Sequence, residues 1–171
     1  TSSGDNTAKK ITKEAGAFTN SAPVVFIEVA ANDKVSIGLE HVTEDIDTPT
    51  NVNMQETTQN TVSATFTDHY TLYANISMPF NTYLKAGYIM ADVVTKENLG
   101  TGGAYPNVDT TGLTVGLGYH HDLDNGVFFR AELAVAEYDD VTASNSNETD
   151  KTVTVSDMMS ATAQIKVGKS F

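Results

Sequence analysis

The chain of 171 residues contains no cysteine. A disulfide framework and a thiolate metal site are therefore excluded. Basic residues are scarce, because 10 lysines and arginines stand against 22 aspartates and glutamates and leave a net charge of −12. Binding to nucleic-acid phosphates requires clustered Lys and Arg, so this balance argues against a nucleic-acid partner. The acidity is expected to reflect solvated loops.

Long apolar runs are also missing. No stretch approaches the ~18 consecutive apolar residues that predict a transmembrane helix, and this argues only against a helical membrane protein. No signal peptide is present, so the sequence is expected to be that of a mature or shortened chain. The length predicts a single domain over residues 1–171.

What the sequence does contain is segments in which apolar and polar residues alternate with a period of two. The C-terminal segment, residues 151–171, is the starting point for predicting the fold. One of the two alternating sets in this segment is mostly apolar: Val153, Val155, Asp157, Met159, Ala161, Ala163, Ile165, Val167, Lys169 and Phe171. The other set is mostly polar. Because successive side chains of a strand point to opposite faces, the segment predicts one long strand with one face in an apolar medium.

The same alternation predicts seven strands in all. They cover residues 24–31, 35–41, 62–78, 83–94, 113–119, 127–135 and 151–171. Short turns at 32–33, 79–81 and 122–126 alternate with long polar loops at 43–60, 96–110 and 139–150. Residues 1–20 have no convincing period and are interpreted as a further loop.

The last eight residues, QIKVGKSF, resemble the C-terminal strand of bacterial outer-membrane β-barrels. In that family the strand typically ends in Phe, and the barrel-assembly machinery reads it as a signal. The resemblance implies this role for Ile165, Val167, Gly168 and Phe171. Lys169 departs from the family pattern, which usually has an apolar residue there, although a Lys near a membrane rim can snorkel. Short turns alternating with long loops are also typical of these barrels, so the resemblance covers most of the chain.

The resemblance implies an all-β fold, an antiparallel up-and-down transmembrane β-barrel of eight strands like those of the OmpA transmembrane domain, OmpX and OmpW. Such barrels have an even number of strands, whereas seven are predicted. We therefore expect the first strand to precede Thr1, with residues 1–20 as an extracellular loop or N-terminal segment. A strand within residues 8–19 is a less favoured alternative, and a soluble β-sandwich is the alternative fold.

Polar residues on the inward face of the predicted strands are expected to fill the lumen. An eight-stranded barrel has an interior just wide enough for side chains, and an unpaired buried charge is costly. The predicted lumen network consists of Glu28, Glu40, His69, Lys85, Arg130, Glu132, Gln164 and Lys166. Inward glycines are expected to allow a close approach of the backbone or a bend: Gly87, Gly112, Gly116 and Gly118.

The outward face is expected to carry aromatic girdles at the two membrane interfaces. Their predicted members are Tyr70, Tyr83, Tyr88, Tyr119, Phe129 and Phe171. Asp68 and Asp157 interrupt the outward apolar sets. Since the strands exceed the ~9 to 11 residues that cross a bilayer, both aspartates are expected to lie above the membrane.

The resemblance implies a structural protein of the outer membrane of a Gram-negative bacterium. Its expected partners are membrane lipid, lipopolysaccharide and the barrel-assembly machinery, together with an extracellular ligand held by the loops. A narrow pore or carrier for small solutes is one alternative, and a lipid-modifying enzyme is another. The His-x-Ser pattern of outer-membrane deacylases is absent, so no catalytic residue and no cofactor is predicted.

Two groups of side chains are candidate metal ligands. His120, His121, Asp122 and Asp124 could hold a divalent ion weakly, but a polar turn at the membrane rim is the preferred interpretation. The acidic loops at 44–47 and 137–140 lack the spacing of an EF-hand, so solvation is preferred there as well. No metal site is therefore predicted.

Overall fold

The computed structural model describes residues 15–55, 58–100, 103–147 and 152–171. Its strands, in chain order, are β1 (Val24–Ala30), β2 (Val35–Val42), β3 (Ile46–Asp47), β4 (Asn51–Gln55), β5 (Thr58–Met78), β6 (Thr82–Leu99), β7 (Val108–Asp122), β8 (Val127–Tyr138), β9 (Val141–Ser144), β10 (Thr152–Val155) and β11 (Met159–Lys169). A short 3-10 turn at Asp124–Gly126 separates β7 from β8. Within these ranges no helix is long and apolar enough to cross a membrane.

The main sheet has nine strands, of which seven follow one another in the order β1-β2-β5-β6-β7-β8-β11, each antiparallel to its neighbours. The predicted all-β, antiparallel, up-and-down arrangement is confirmed. The sheet curls into a half-barrel. In the described part of the chain β1 and β11 are its two edges, and no ladder joins them.

One end of the sheet carries the short connections, at residues 31–34, 79–81 and 123–126, and is called the short-turn end. The opposite long-loop end is more regular than predicted. The predicted polar loop at 43–60 contains β3 and β4, which both pair with β5, and the predicted loop at 139–150 contains β9. The loop at 96–110 is shortened from both sides because β6 continues to Leu99 and β7 begins at Val108. Backbone pairing therefore extends beyond the apolar segments that revealed the strands.

The prediction of one unbroken strand over residues 151–171 is wrong. β10 ends at Val155 and pairs only with β9 in a separate two-stranded sheet, whereas β11 begins at Met159 and pairs with β8. Between them Asp157 has a φ of 56°, in the left-handed region that Asp tolerates better than most residues. Its backbone N–H donates to Asp140 Oδ1 over 3.1 Å, where the chain also leaves β8. Both strands of this hairpin are thus interrupted at the same place.

A second irregularity lies in β5. The pairing with β6 shifts between Thr67 and Tyr70, and Asp68 has a φ of 48°. A bulge of one residue reverses which face the following side chains occupy. Phe66 accordingly contacts the ring of Tyr138, whereas the sequence pattern had placed Phe66 on the same face as Leu72. The uninterrupted alternation predicted for residues 62–78 is therefore wrong on the N-terminal side of the bulge, at residues 62–67.

The two faces of the sheet differ sharply in polarity. On the convex face large apolar side chains are exposed, as for Leu113 at 66%, Leu133 at 67% and Ile165 at 68%. The concave face buries charged side chains, as for Lys85 at 3% and Lys166 at 4% exposure. Tyr83, predicted as a girdle residue, is buried on the concave face, because it shares the alternation of Lys85.

Candidate functional site on the concave face

Four charged side chains from four strands meet at the centre of the concave face. Lys85 Nζ lies 2.9 Å from Glu132 Oε1 and 3.2 Å from Glu40 Oε2. Lys166 Nζ lies 2.5 Å from the same Glu40 oxygen and 3.3 Å from the same Glu132 oxygen. Positive and negative groups therefore alternate around a closed ring that links β2, β6, β8 and β11.

A second ion pair joins Arg130 on β8 to Glu28 on β1. Its two hydrogen bonds run from Nη1 to Oε2 over 2.7 Å and from Nη2 to Oε1 over 2.9 Å. The Tyr73 hydroxyl and the Asn75 amide each donate to Glu28 Oε2 over 3.0 Å. Because a guanidinium binds a carboxylate bidentately in a fixed geometry, this pair holds an edge strand to the far side of the half-barrel.

The two groups are joined by aromatic side chains and together carry no net charge. The Tyr83 hydroxyl donates to Glu132 Oε2 over 2.8 Å. The centre of the Tyr83 ring lies 5.3 Å from Arg130 Cζ. Lys85 Nζ lies 4.5 Å from the centre of the Tyr73 ring. The assembly, which we call the lumen cluster, has three carboxylates and three cations: Glu28, Glu40, Glu132, Lys85, Arg130 and Lys166.

Glycines make room for the aromatic rings on this face. Gly38 pairs across strands with Tyr73, Gly118 with Tyr83 and Gly168 with Phe128. A Cβ atom added at any of these three glycines would overlap the partner ring. Each aromatic ring thus lies flat across its neighbour, as in the pairing of aromatics with glycine that supports designed sheets. The close approach predicted for Gly118 has this physical cause.

Seven of the eight predicted lumen residues come together. Six of them form the lumen cluster, and the seventh, Gln164, contacts it because its Nε2 donates to Glu40 Oε1 over 3.1 Å. His69 lies apart, where its Nε2 is 3.1 Å from the Tyr138 hydroxyl. The sequence interpretation missed Tyr73, Asn75, Tyr83 and His120 as partners in the network. Their alternation with known inward residues was the available signal, since Tyr83 precedes Lys85 by two positions.

The two histidines at the end of β7, His120 and His121, contact different residues and do not form a shared metal site. His120 Nδ1 accepts a hydrogen bond from Arg130 Nε over 2.8 Å, and its Nε2 lies 2.9 Å from Asp122 Oδ1. His121 instead stacks on Tyr119, which is exposed on the convex face. Among the described residues no group of three or more His, Asp or Glu side chains is arranged to hold a metal ion.

The acidic residues at the long-loop end have contacts within the chain. Asp47 pairs with Lys96 at 3.2 Å, and Asp139 accepts from the Thr111 hydroxyl. In the C-terminal segment Ile165 and Val167 stand exposed on the convex side of β11, Gly168 faces Phe128, and Phe171 lies beyond the end of the strand.

Comparisons with protein-family models, with curated proteins and with solved structures found no match. A function therefore has to be inferred from the chemistry of the two faces. The concave face is a neutral, buried and internally paired set of charges. The convex face is a broad exposed apolar surface.

Proposed function

We propose that this chain forms most of a small β-barrel that spans the outer membrane of a Gram-negative bacterium and acts there as a structural envelope protein. The convex face then contacts lipid, the long-loop end lies outside the cell and the short-turn end lies in the periplasm. Membrane lipid, lipopolysaccharide and the barrel-assembly machinery are its partners, and the loops are the part available to an extracellular ligand.

The observation that supports this proposal is that charged side chains are buried on the concave face, whereas large apolar side chains are exposed on the convex face. The exposed apolar side chains are spread over neighbouring strands, whereas monomeric soluble proteins rarely expose contiguous apolar patches larger than a few hundred Å². Burying five charged side chains while exposing Leu, Ile and Val is unfavourable for a soluble domain. In a bilayer the same arrangement is favourable, because the apolar face contacts acyl chains and the sheet satisfies its own backbone groups.

The lumen cluster supports a structural role rather than a conducting or catalytic one. Each of its charged side chains already has an oppositely charged partner within the protein. Lys85 and Lys166 bridge Glu40 and Glu132 across the interior, so the side chains occupy the space that a solute would need. We therefore infer a lumen filled by side chains, in which the ion pairs fix the positions of the strands.

A closed barrel requires one more strand than the described residues supply. β1 and β11 both run from the long-loop end to the short-turn end, since Ser170, just after β11, donates its N–H to Gly126 O. They cannot form an antiparallel pair with each other. One strand running the opposite way would be antiparallel to both and would finish at the long-loop end, where residues 15–23 lead into β1. We infer that this eighth strand comes from a segment outside the described residues.

Side chains beside the open edges are consistent with a missing neighbour. Gln164 Oε1 on β11 is buried without a hydrogen-bond partner in the described chain, and Glu28 on β1 is only half-buried. An unpaired strand edge in hydrocarbon costs several kcal/mol for each unsatisfied backbone group. An eighth strand would pair the backbone groups of both edges.

The electrophoretic mobility of the protein folded in detergent, with and without boiling, tests the membrane proposal. We expect a heat-dependent shift in mobility together with a β-rich circular dichroism spectrum. A protein that stays monomeric in buffer without detergent and shows no shift would contradict it. Conductance in planar bilayers then separates the filled lumen from a pore, because we expect no discrete conductance steps.

Hydrogen exchange of the protein in detergent tests the eighth strand. The informative amides are those of β1 and β11 that are not bonded to β2 or β8. We expect them to be protected as strongly as the amides of β6, which is paired on both sides. Rapid exchange confined to these two edges would show that the barrel stays open.

A further inference from the structure

The apolar run on the convex face ends at an acidic residue on five consecutive strands of the sheet. Followed from the short-turn end to the long-loop end, the first charged outward residue on β5, β6, β7 and β8 is a carboxylate, and on β11 the first one beyond Lys169 at the short-turn end is also a carboxylate. We call these residues the carboxylate belt: Asp68 on β5, Asp92 on β6, Asp109 on β7, Glu137 on β8 and Asp157 just before β11. All five are exposed.

The spacing of the belt requires contact with water. Asp92 lies directly opposite Asp109 in the ladder of β6 and β7, and its partner on β5 is Thr67, next to Asp68. Like charges directly opposite each other across a ladder are destabilising unless solvent screens them. None of the salt bridges within the described ranges includes a belt residue. The belt therefore lacks the paired cations that make carboxylates tolerable in the lumen cluster.

The apolar surface below the belt has the height of a bilayer core. On β6 the outward residues from Leu84 to Met90 are apolar or aromatic, and Asp92 follows. At about 3.3 Å per residue and a tilt of about 40°, the strand rises about 25 Å between Thr82 and Asp92. This height equals the outward apolar band of transmembrane barrels, which is about 25 Å.

Aromatic side chains border this surface at both ends. Near the belt, Tyr88 is the outward residue next to Met90 on β6, and Tyr70 follows Asp68 by two residues on β5, toward the short-turn end. Tyr119 and Phe171 lie at the short-turn end, and both are exposed. Tyr favours the membrane interface because its ring is apolar and its hydroxyl is polar.

We infer that the outer boundary of the bilayer hydrocarbon runs along the carboxylate belt, between Met90 and Asp92 on β6 and between Val135 and Glu137 on β8. The strand segments beyond the belt, with β3, β4, β9 and β10, then form a collar in the headgroup region and in water. The inference rests on the proposed membrane location and adds the depth at which the protein lies. Its partner is the lipid bilayer itself, with hydrocarbon on one side of the belt and hydrated headgroups on the other.

Tryptophan scanning tests this depth, because the chain contains no tryptophan of its own. Four variants of the complete protein are folded into vesicles of phosphatidylcholine brominated at a shallow or a deep acyl position. Tyr88→Trp and Asp92→Trp form one pair on β6, and Leu133→Trp and Glu137→Trp form a matched pair on β8. Quenching of tryptophan fluorescence by each lipid reports the depth of the side chain.

We expect strong quenching at positions 88 and 133, and quenching several-fold weaker at 92 and 137 with red-shifted emission. Deep quenching at 92 and 137 equal to that at 88 and 133 would overturn the inferred boundary while leaving the membrane location intact. No quenching at any of the four positions, in protein whose circular dichroism shows a folded sheet, would overturn both. Retained β-rich circular dichroism in every variant serves as the folding control.

Discussion

Arg130 and Glu28 form a bidentate ion pair that joins strands far apart in the sheet. The two strands are β8 and β1, and the hydrogen bonds measure 2.7 and 2.9 Å. Among the described strands β1 pairs only with β2. Two interactions therefore hold β1 in place, the ladder with β2 and the ion pair with Arg130. The position of the edge strand therefore depends on a side-chain interaction across the interior.

Replacing Arg130 with Met should destabilise the protein strongly. The change leaves Glu28 without its cation while Tyr73 and Asn75 still surround it. Removing one partner of a buried pair typically costs about 3 to 5 kcal/mol, because an uncompensated charge remains. We expect a loss of this order in the free energy of unfolding by urea in lipid vesicles.

The double variant Glu28→Met with Arg130→Met is the control for that measurement. It removes both charges and should recover much of the loss, so that the two single effects do not add. Additive losses would mean that the two side chains do not stabilise each other.

Lys166 and Lys169 provide a matched comparison on one strand. Lys166 is buried between Glu40 and Glu132, whereas Lys169 is exposed at the end of β11. Lys166→Met should lower the free energy of unfolding by about 3 kcal/mol or more, because two carboxylates lose a shared cation. Lys169→Met should change it by less than about 0.5 kcal/mol. Equal effects in urea unfolding would contradict a paired charge network inside the protein.

Gly118 should not tolerate even an added methyl group. A Cβ atom there would overlap the ring of Tyr83, which is held by its hydrogen bond to Glu132. Overpacking of this kind costs about 1 to 3 kcal/mol, and we expect Gly118→Ala to lose that much stability. The same substitution in a Tyr83→Ala background should cost less, because the ring is gone. Gly16→Ala, where a Cβ atom meets nothing within 4 Å, is the neutral control.

Alternation was sufficient to predict which residues share a face, but it could not predict their pairing. Lys85 and Glu132 were assigned to the same side because each lies in phase with inward neighbours. That Lys85 contacts both Glu132 and Glu40 depends on the register and curvature of the sheet, and these are properties of the folded strands together. The residues of the cluster were therefore predictable, whereas its ring of alternating charges was not.

Backbone irregularities explain where the sequence interpretation failed. Asp68 and Asp157 were the residues that broke the predicted apolar sets, and both have positive φ values. A pattern with a strict period of two treats such a residue as an exception on one face, whereas the chain uses it to change face or to leave the strand. Strands β3, β4 and β9 were missed for a different reason, because each has only two to five residues, too few to establish an alternation.

The Asp47 carboxylate offers a test of the collar that does not depend on the membrane. The Thr65 hydroxyl donates to Asp47 Oδ1 over 2.5 Å, and Lys96 Nζ lies 3.2 Å from the same oxygen. The hydrogen bond from Thr65 and then the charge of Lys96 lower the pKa of Asp47 below its ordinary value. Because the folded pKa is depressed, the contact stabilises β3 on β5 above the ordinary pKa, and this contribution is lost as the pH falls through the folded pKa.

We expect Thr65→Val and Lys96→Met each to raise the pKa of Asp47 toward its ordinary value, because each variant removes a group that lowers this pKa. Titration of the Asp47 carboxyl carbon by NMR measures both. Thr67→Val alters a neighbouring position of β5 and should leave the Asp47 pKa unchanged. An Asp47 pKa that does not change at all in the Thr65 variant would mean that Thr65 does not donate to Asp47, and it would contradict the pairing of residues 46–47 with β5.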